Sequence, residues 1–433
     1  MKRARLQSRL EAAKGYAVDE ALGAPTKPWE NMTPRERRPG VGFAVALGAV
    51  TLIVPLAIHL FLPVMPAVKS FFGISDALTE LTFSIALGAI AVVTLVYGSL
   101  SDRYGRRPVL LGGLALFLVG SAIAALAGSI TMLVGGRLIQ AVGAGCGLTL
   151  ARAIARDAYG PEGLVKAIAY LTMAYALGPM VAPPIGGLLL DALGWRSAFW
   201  FAFIGGVVIA ALAYFVLYET RSPRDFDERP RGVLHHYAML TMNARFMAFV
   251  LQSGFMSFMF FAIAAASPLL MKEVLGRSAT EYGLFFMFFP LGYCAGNFLS
   301  TRLSGKVAIE RMVLTGSLIS FAVAIGQATL ILRGDLSPLT LFVPGGLISF
   351  SQGLALPNAQ AGAMRVVPAL AGTAAGIGVF FQMFLSAASA ELYGLLADGT
   401  PVPMIVISVS GALLALAAAF AAFAMRRQEA TMP

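Results

Sequence analysis

Long apolar runs separated by short polar turns fill almost the whole 433-residue chain. Twelve of them reach 18 residues or more, enough for an α-helix to cross roughly 30 Å of hydrocarbon. The pattern predicts spans at 42–66, 79–100, 108–128, 130–152, 165–190, 197–218, 244–270, 280–301, 311–332, 338–362, 371–396 and 403–425. The runs are rich in Leu, Ala, Phe and Gly and lack the ten-residue alternation of barrel strands, so helices satisfy the backbone internally. The expected fold class is an all-α polytopic membrane protein with twelve transmembrane helices in two six-helix bundles.

Composition agrees: 58% of residues are hydrophobic and 12% charged, where soluble domains carry about 25%. A net charge of +10 would suggest nucleic acid for a soluble chain, but here the charge is a matter of topology. An even number of spans puts both termini on one side. With that side cytoplasmic, 26 Lys and Arg lie in cytoplasmic segments and 5 on the other face (Lys69, Arg196, Lys272, Arg277 and Arg333), while Arg137 falls within a span. The chain is therefore expected in an inner membrane, multi-pass, with both termini cytoplasmic. Cys146 and Cys294 both fall in predicted spans and read as small core residues rather than a disulfide or zinc ligands.

The chain divides into a basic N-terminal tail (1–41), a six-span bundle (42–218), a polar linker (219–243), a second bundle (244–425) and a short C-terminal tail (426–433). The first tail lacks a signal-peptide core; Leu6, Leu10 and Ala12 among its basic residues leave an interfacial role for 2–14 open beside a plain tail. A weak internal repeat joins the bundles. Leu62-Pro63-Val64-Met65-Pro66 leading to Gly73 and Ser75 is echoed 203 residues later by Ser267-Pro268-Leu269-Leu270-Met271 leading to Gly276 and Ser278. Duplicated halves are common in secondary transporters. His235-His236 in the linker lack the companion ligands of a metal site.

Three motifs carry chemistry. Between spans 2 and 3, Gly98-Ser-Leu-Ser-Asp102-Arg103-Tyr-Gly105-Arg106-Arg107-Pro108 forms a dense charged turn. Span 4 holds Arg137, which is costly in a bilayer unless paired, and Gln140 on the same helical face, followed by a small-residue face at Gly143 and Gly147. Span 5 aligns Gly178, Ala182 and Gly186 one turn apart, beside Gly187, with Pro179, Pro183 and Pro184 expected to bend the helix and free carbonyls. The charged turn resembles the signature loop of the major facilitator superfamily, and span 5 the antiporter signature of its drug exporters. Leu62-Pro63, Met65-Pro66, Ala151-Arg152 through Asp157, Ser267-Pro268 with Glu273 and Gly276, and Ala397-Asp398 through Met404 are similar to the bicyclomycin/chloramphenicol-resistance branch, over residues 42–425.

That resemblance implies twelve spans, no cofactor beyond the proton gradient, and proton-driven export of small drug-like molecules. It also implies that Gly98 and Gly105 permit close helix approach, and that Asp102 accepts bonds from the loop arginines, Arg103, Arg106 and Arg107, and from the start of span 11. Where the branch has an aspartate, four residues before Pro63, this chain has His59. Of the acidic residues in or near spans (Glu80, Asp191, Glu281 and Glu391), Glu391 is expected to be the most buried, about five residues or ~7 Å from the outer end of span 11. His59, Arg137 and Glu391 at matched depth are the candidate proton-coupling site; the plainer alternative is a static Arg137–Glu391 ion pair with His59 in the core.

Gln140, Tyr175, Gln252, Asn297, Gln352, Asn358 and Gln382 are the candidate substrate-cavity residues, although interhelical hydrogen bonding accounts for each singly as well. The expected function is proton-coupled efflux by alternating access. The alternative is a proton symporter or uniporter of a small organic acid, if Arg137 binds a carboxylate. No His-Glu-x-x-His occurs, and no Gly-x-Ser-x-Gly stands with a partner histidine, which argues against an enzyme. The expected partners are substrate, protons and lipid, with no nucleic acid, and the chain is expected to be monomeric.

Overall fold

The computed structural model describes residues 39–220, 233–367 and 370–431, and their regular structure is entirely helical. Twelve helices among these residues are long and apolar enough to span a membrane: α1 Val41–Phe72, α2 Asp76–Tyr104, α3 Arg106–Ala125, α4 Ile130–Gly160, α5 Lys166–Leu193, α6 Arg196–Val216, α7 Ala244–Val274, α8 Ala279–Leu303, α9 Ile309–Leu332, α10 Pro338–Val366, α11 Gly372–Leu396 and α12 Val402–Arg426. All twelve predicted spans are found, and several run further than their apolar cores. A short helix, Val233–Thr241, precedes α7. Residues 1–38 and 221–232, with the interfacial role weighed for 2–14, lie outside the described residues, as do the His235 and His236 side chains. Gly42–Pro433 forms one compact unit.

Successive spans alternate in direction, so the turns holding Arg103, Arg106, Arg107, Arg302, Lys306 and Arg311 lie at one face, called here the basic face. The turns after α1 and α7 lie at the opposite face, and the internal repeat is real in three dimensions. Gly73 (φ 61°) and Gly276 (φ 62°) end their helices left-handed. Ser75 and Ser278, two residues on, accept N-cap bonds from the backbone of Leu78 (3.4 Å) and Glu281 (3.1 Å).

Without water to drive apolar association inside a bilayer, the spans pack through small residues. A Cβ on Gly120 would strike the Gln140 backbone, and one on Gly143 the backbone of Phe117 and Gly113, so α3 and α4 cross in near main-chain contact. Gly147 meets the Val50 carbonyl of α1 instead, so Gly143 and Gly147 serve two different neighbours rather than the single face expected for them. Glycines 292, 296 and 353 make the corresponding crossing of α8 and α10. Large side chains such as Val92, Ile204, Phe215 and Leu413 point outward, as a lipid-facing surface requires. Cys146 is buried, but Cys294 is exposed on α8, which corrects its assignment to the core: it shares its side of the helix with the exposed Leu291 and Phe298.

Gly143→Ala should destabilise the protein by about 1–3 kcal/mol through overpacking. Gly112→Ala, with open space around it, should be neutral or stabilise by up to about 1 kcal/mol. Thermal melts of the two variants in detergent, read against wild type, check both.

Candidate functional site

The hydrogen-bond ladder of the first span is interrupted, although Leu52, His59, Phe61 and Val64 keep right-handed helical backbone angles. Helices Val41–Thr51 and Ile53–Ile58 give way at His59–Phe61 to turns, then to a 3₁₀ segment, Leu62–Val64, and a last helix, Met65–Phe72. Pro63 and Pro66 remove donors from the ladder there. The interruption rests on α5: a Cβ on Gly178 would collide with the Pro55 ring, and one on Gly186 with the Leu60 carbonyl. Gly187, turned to the other side, abuts the Ala279 carbonyl of α8. The small stripe thus works as a smooth surface. Pro179, Pro183 and Pro184 do not break their helix, whose φ/ψ stay helical from Ile130 to Leu193 except at Gly160 (φ 63°), so the interruption lies in α1.

Arg137 is 1% exposed. Its Nε donates to the Thr82 carbonyl (3.1 Å), and Nη1 donates to the Ala57 carbonyl (2.5 Å) and to Gln140 Oε1 (2.8 Å). The guanidinium also lies 4.4 Å from the centre of the Phe61 ring. Gln140 donates onward to Ser121 Oγ (2.9 Å). Arg137 thus ties α4 to α1 and α2, and by way of Gln140 to α3, through neutral oxygens, and no carboxylate pairs with it among the described residues. The static Arg137–Glu391 ion pair, the plainer alternative from the sequence, is therefore not formed here. His59 is buried against Phe286 of α8 (6.2 Å between ring centres), with Nδ1 unpartnered. His59, Arg137 and Glu391 are not brought together in this conformation, because matched depth leaves the direction each side chain faces undetermined.

Glu391 is half-buried and accepts a bond from Ser84 Oγ of α2 (2.6 Å). The fully buried carboxylate is Glu80, one turn before Ser84: it is 0% exposed, and neither oxygen has a hydrogen-bond partner. This reverses the expected order of burial. Gly394 of α11 lets Glu80 in, since a Cβ there would meet Glu80 Cβ. Above Glu80, at the opposite face, Lys69 Nζ bonds Asp76 (2.7 Å) and both oxygens of Glu273 (2.8 and 2.9 Å), tying α1 to α7. Asp191 of α5 accepts from the backbone N–H and hydroxyl of Thr280 in α8 (2.9 and 2.6 Å).

At the basic face Arg106, 2% exposed, organises the charged turn. It donates to Asp102 (2.8 Å), Asp157 (2.9 Å) and Ser101 Oγ (2.6 Å). Arg107 donates to the Tyr214 carbonyl (2.7 Å), and Arg103 stacks on Tyr104. Glu219, which the sequence reading put in the linker, accepts from the Arg106 and Arg107 backbone N–H groups (2.9 and 3.0 Å) and caps α3. Gly105 (φ 96°) leaves room for that carboxylate. Gly98 has no heavy atom near its Cβ position, which corrects the expectation of a close approach there. Residues 368–369, before the start of α11 where Asp102 was expected to bond, lie outside the described residues.

Most of the candidate cavity amides are spoken for, because an amide in hydrocarbon must find a partner. Besides Gln140, Gln252 donates to Ser317 Oγ (2.9 Å), Gln352 to the Met256 carbonyl (2.6 Å) and Asn358 to Ser300 Oγ (2.7 Å), all across helix pairs. Asn358 also lines a cavity of about 530 Å³ at the basic face with Arg245, Glu310 and Arg365. Asn297 is half-buried and Gln382 buried. Tyr175 keeps different company: it shares an electrostatic neighbourhood with Arg152 of α4 and Tyr293 of α8, all three half-buried. Arg152, the last residue of predicted span 4, lies eight residues inside α4 because the helix runs on to Gly160.

A twelve-span helical membrane protein with an interrupted first span, small-residue sliding surfaces and charged side chains between its spans is built like a carrier. The sequence matches the family described as Major Facilitator Superfamily over residues 47–390, and the chain belongs to that family. It is 31% identical over 242 residues to "Multidrug resistance protein MdtL" of Escherichia coli O139:H28 and of Shigella flexneri; the match covers 55% of this chain and 61% of those relatives' length. Among solved structures, it resembles a D-xylose–proton symporter (TM-score 0.68, 16% identity, 88% of this chain and 97% of that one). It also resembles the human organic anion transporter MFSD10 (TM-score 0.63, 20% identity, 90% and 100%). The two solved proteins are named as transporters, and at 16% and 20% identity the likeness to them shows the fold.

Lys69→Ala should loosen the opposite face. The Lys69–Glu273 pair is partly exposed, at 20% and 39%, so its loss should weaken closure by no more than about 1 kcal/mol, or roughly fivefold in the opening equilibrium. In a background without native cysteines, V64C, buried five residues before Lys69, should react with maleimide up to about fivefold faster when combined with Lys69→Ala.

Proposed function

We propose that the protein is a secondary transporter that exports small drug-like or metabolite molecules in exchange for protons, from a bacterial inner membrane with its basic face and both termini in the cytoplasm. The observation that carries this reading is the nature of the seal at the opposite face. Lys69, Asp76 and Glu273, with Asp191 and Thr280, join the first six spans to the last six by ion pairs and hydrogen bonds at the helix ends, which a rocking motion can break and remake. Behind the seal, the Gly178 and Gly186 surface lets the interrupted part of α1 shift without unpacking large side chains.

The relatives named for multidrug resistance support the substrate class, and the Lys and Arg asymmetry supports the orientation. Protons move in this reading through ionisable side chains within the spans, His59 and Glu391 among them, with Arg137 as a fixed positive charge. Tyr175, Arg152 and Tyr293, together with Gln382 and Asn297, supply the polar contacts of the substrate site in this reading. The carrier works as a monomer in lipid, with the proton gradient in place of a cofactor.

A second reading, symport or uniport of a small organic acid, is favoured by one observation. Arg152 has no hydrogen-bond or ion-pair partner among the described residues, so an anionic substrate could supply one.

Acidic-interior vesicles turned inside out separate the two readings. Drug-evoked proton release, seen as dequenching of a pH-sensitive dye, is expected for the exporter. A response to organic acids alone, lost in Arg152→Gln, would favour the second reading, and no response to any compound from folded protein would remove proton exchange altogether.

A further inference from the structure

We propose that Glu80, backed by Glu391 across the α2–α11 interface, is the proton-binding site of this carrier, and that it holds its proton while the opposite face is sealed. The inference rests on the proton-exchange reading above and names its site. Glu80 and Ser84 lie one turn apart on α2, and Glu391 and Gly394 nearly one turn apart on α11. Ser84 bonds Glu391, and Gly394 packs on Glu80, so the two carboxylates sit on facing helix surfaces about a turn apart.

The charges around Glu80 leave it without a counterion. Lys69 of α1 is engaged by Asp76 and Glu273. Arg137, the buried cation of α4, is turned to carbonyls and Gln140. The other ionisable groups facing Glu80 are Asp76 on its own helix, Glu391 and Tyr393 of α11 and Tyr282 of α8, all of them acids. A carboxylate with no donor on either oxygen, in a dry interface beside other acids, is stable there as the neutral acid.

The site's position links protonation to conformation. Opening the opposite face would pull α2 from α11 and admit water to Glu80, which can then exchange its proton with the outside. Resealing buries the group again, and this is favourable only once it is protonated. Glu391, half-buried and accepting a bond from Ser84, lies one turn further from the opposite face, on the side toward which the proton must leave once the basic face opens and water reaches Glu80.

The test uses purified full-length protein in proteoliposomes. Glu80→Gln, which mimics the protonated acid, should reduce drug-evoked proton flux by roughly a hundredfold, while exchange of labelled for unlabelled drug without a gradient stays within about twofold. Proton flux at wild-type level in Glu80→Gln would overturn the proposal. Should that variant fail to fold, the wild type decides: dicyclohexylcarbodiimide, which modifies protonated carboxyls in apolar surroundings, should label the peptide bearing Glu80 as read by mass spectrometry, and absence of that label would overturn the proposal. If wild type shows drug exchange but no proton flux, the antiport reading fails, and the labelling result still judges the site.

Discussion

Inside a bilayer there is no water to satisfy a polar group, and that constraint shapes every feature described here. Arg137 shows it most plainly. A guanidinium in this medium must find acceptors, and it finds them in two backbone carbonyls, a glutamine and an aromatic face, drawing three helices together. The same demand turns Gln252, Gln352 and Asn358 into clamps between helices. Where it is not met, at Glu80, the protein holds a group whose charge state the surroundings must control.

A carrier also needs contacts that can be broken. The fold meets the two requirements with different kinds of contact. Glycine crossings of α3 with α4 and of α8 with α10 put main chain against main chain within each set of six spans, and such contacts resist separation. Between the two sets, Gly187 and Gly283 bring α5 and α8 together, and the remaining bonds at the opposite face are ion pairs and single hydrogen bonds at helix ends, each worth little alone. The buried carboxylates lie directly behind those weaker contacts.

The relation between sequence and site differs from residue to residue. Ser75 and Ser278 were legible as a repeat because capping is local chemistry, settled by three or four neighbouring residues. Depth along a helix makes Glu391 the expected most buried acid, while Glu80 is the second residue of the predicted span 79–100. The order reverses because Gly394 lets α11 close over Glu80 on α2. Glu219 gave no signal at all: an acid at the end of a span reads as a solvated linker until the start of α3 is seen to lie beside it.

Hydrophobic runs, charge asymmetry and turn residues by themselves determined that the chain crosses a membrane twelve times, which loops share a face, and which family's motifs it carries. These properties depend on transfer to lipid and on local backbone preference, both of which act on short stretches of chain. Only the tertiary structure decided which polar side chains meet. Depth in the bilayer can be counted along a helix, but the azimuth of each side chain follows from how every helix is rotated against its neighbours. That rotation set Arg137 on carbonyls, left Glu80 without a donor, and gathered Arg152, Tyr175 and Tyr293 from three spans.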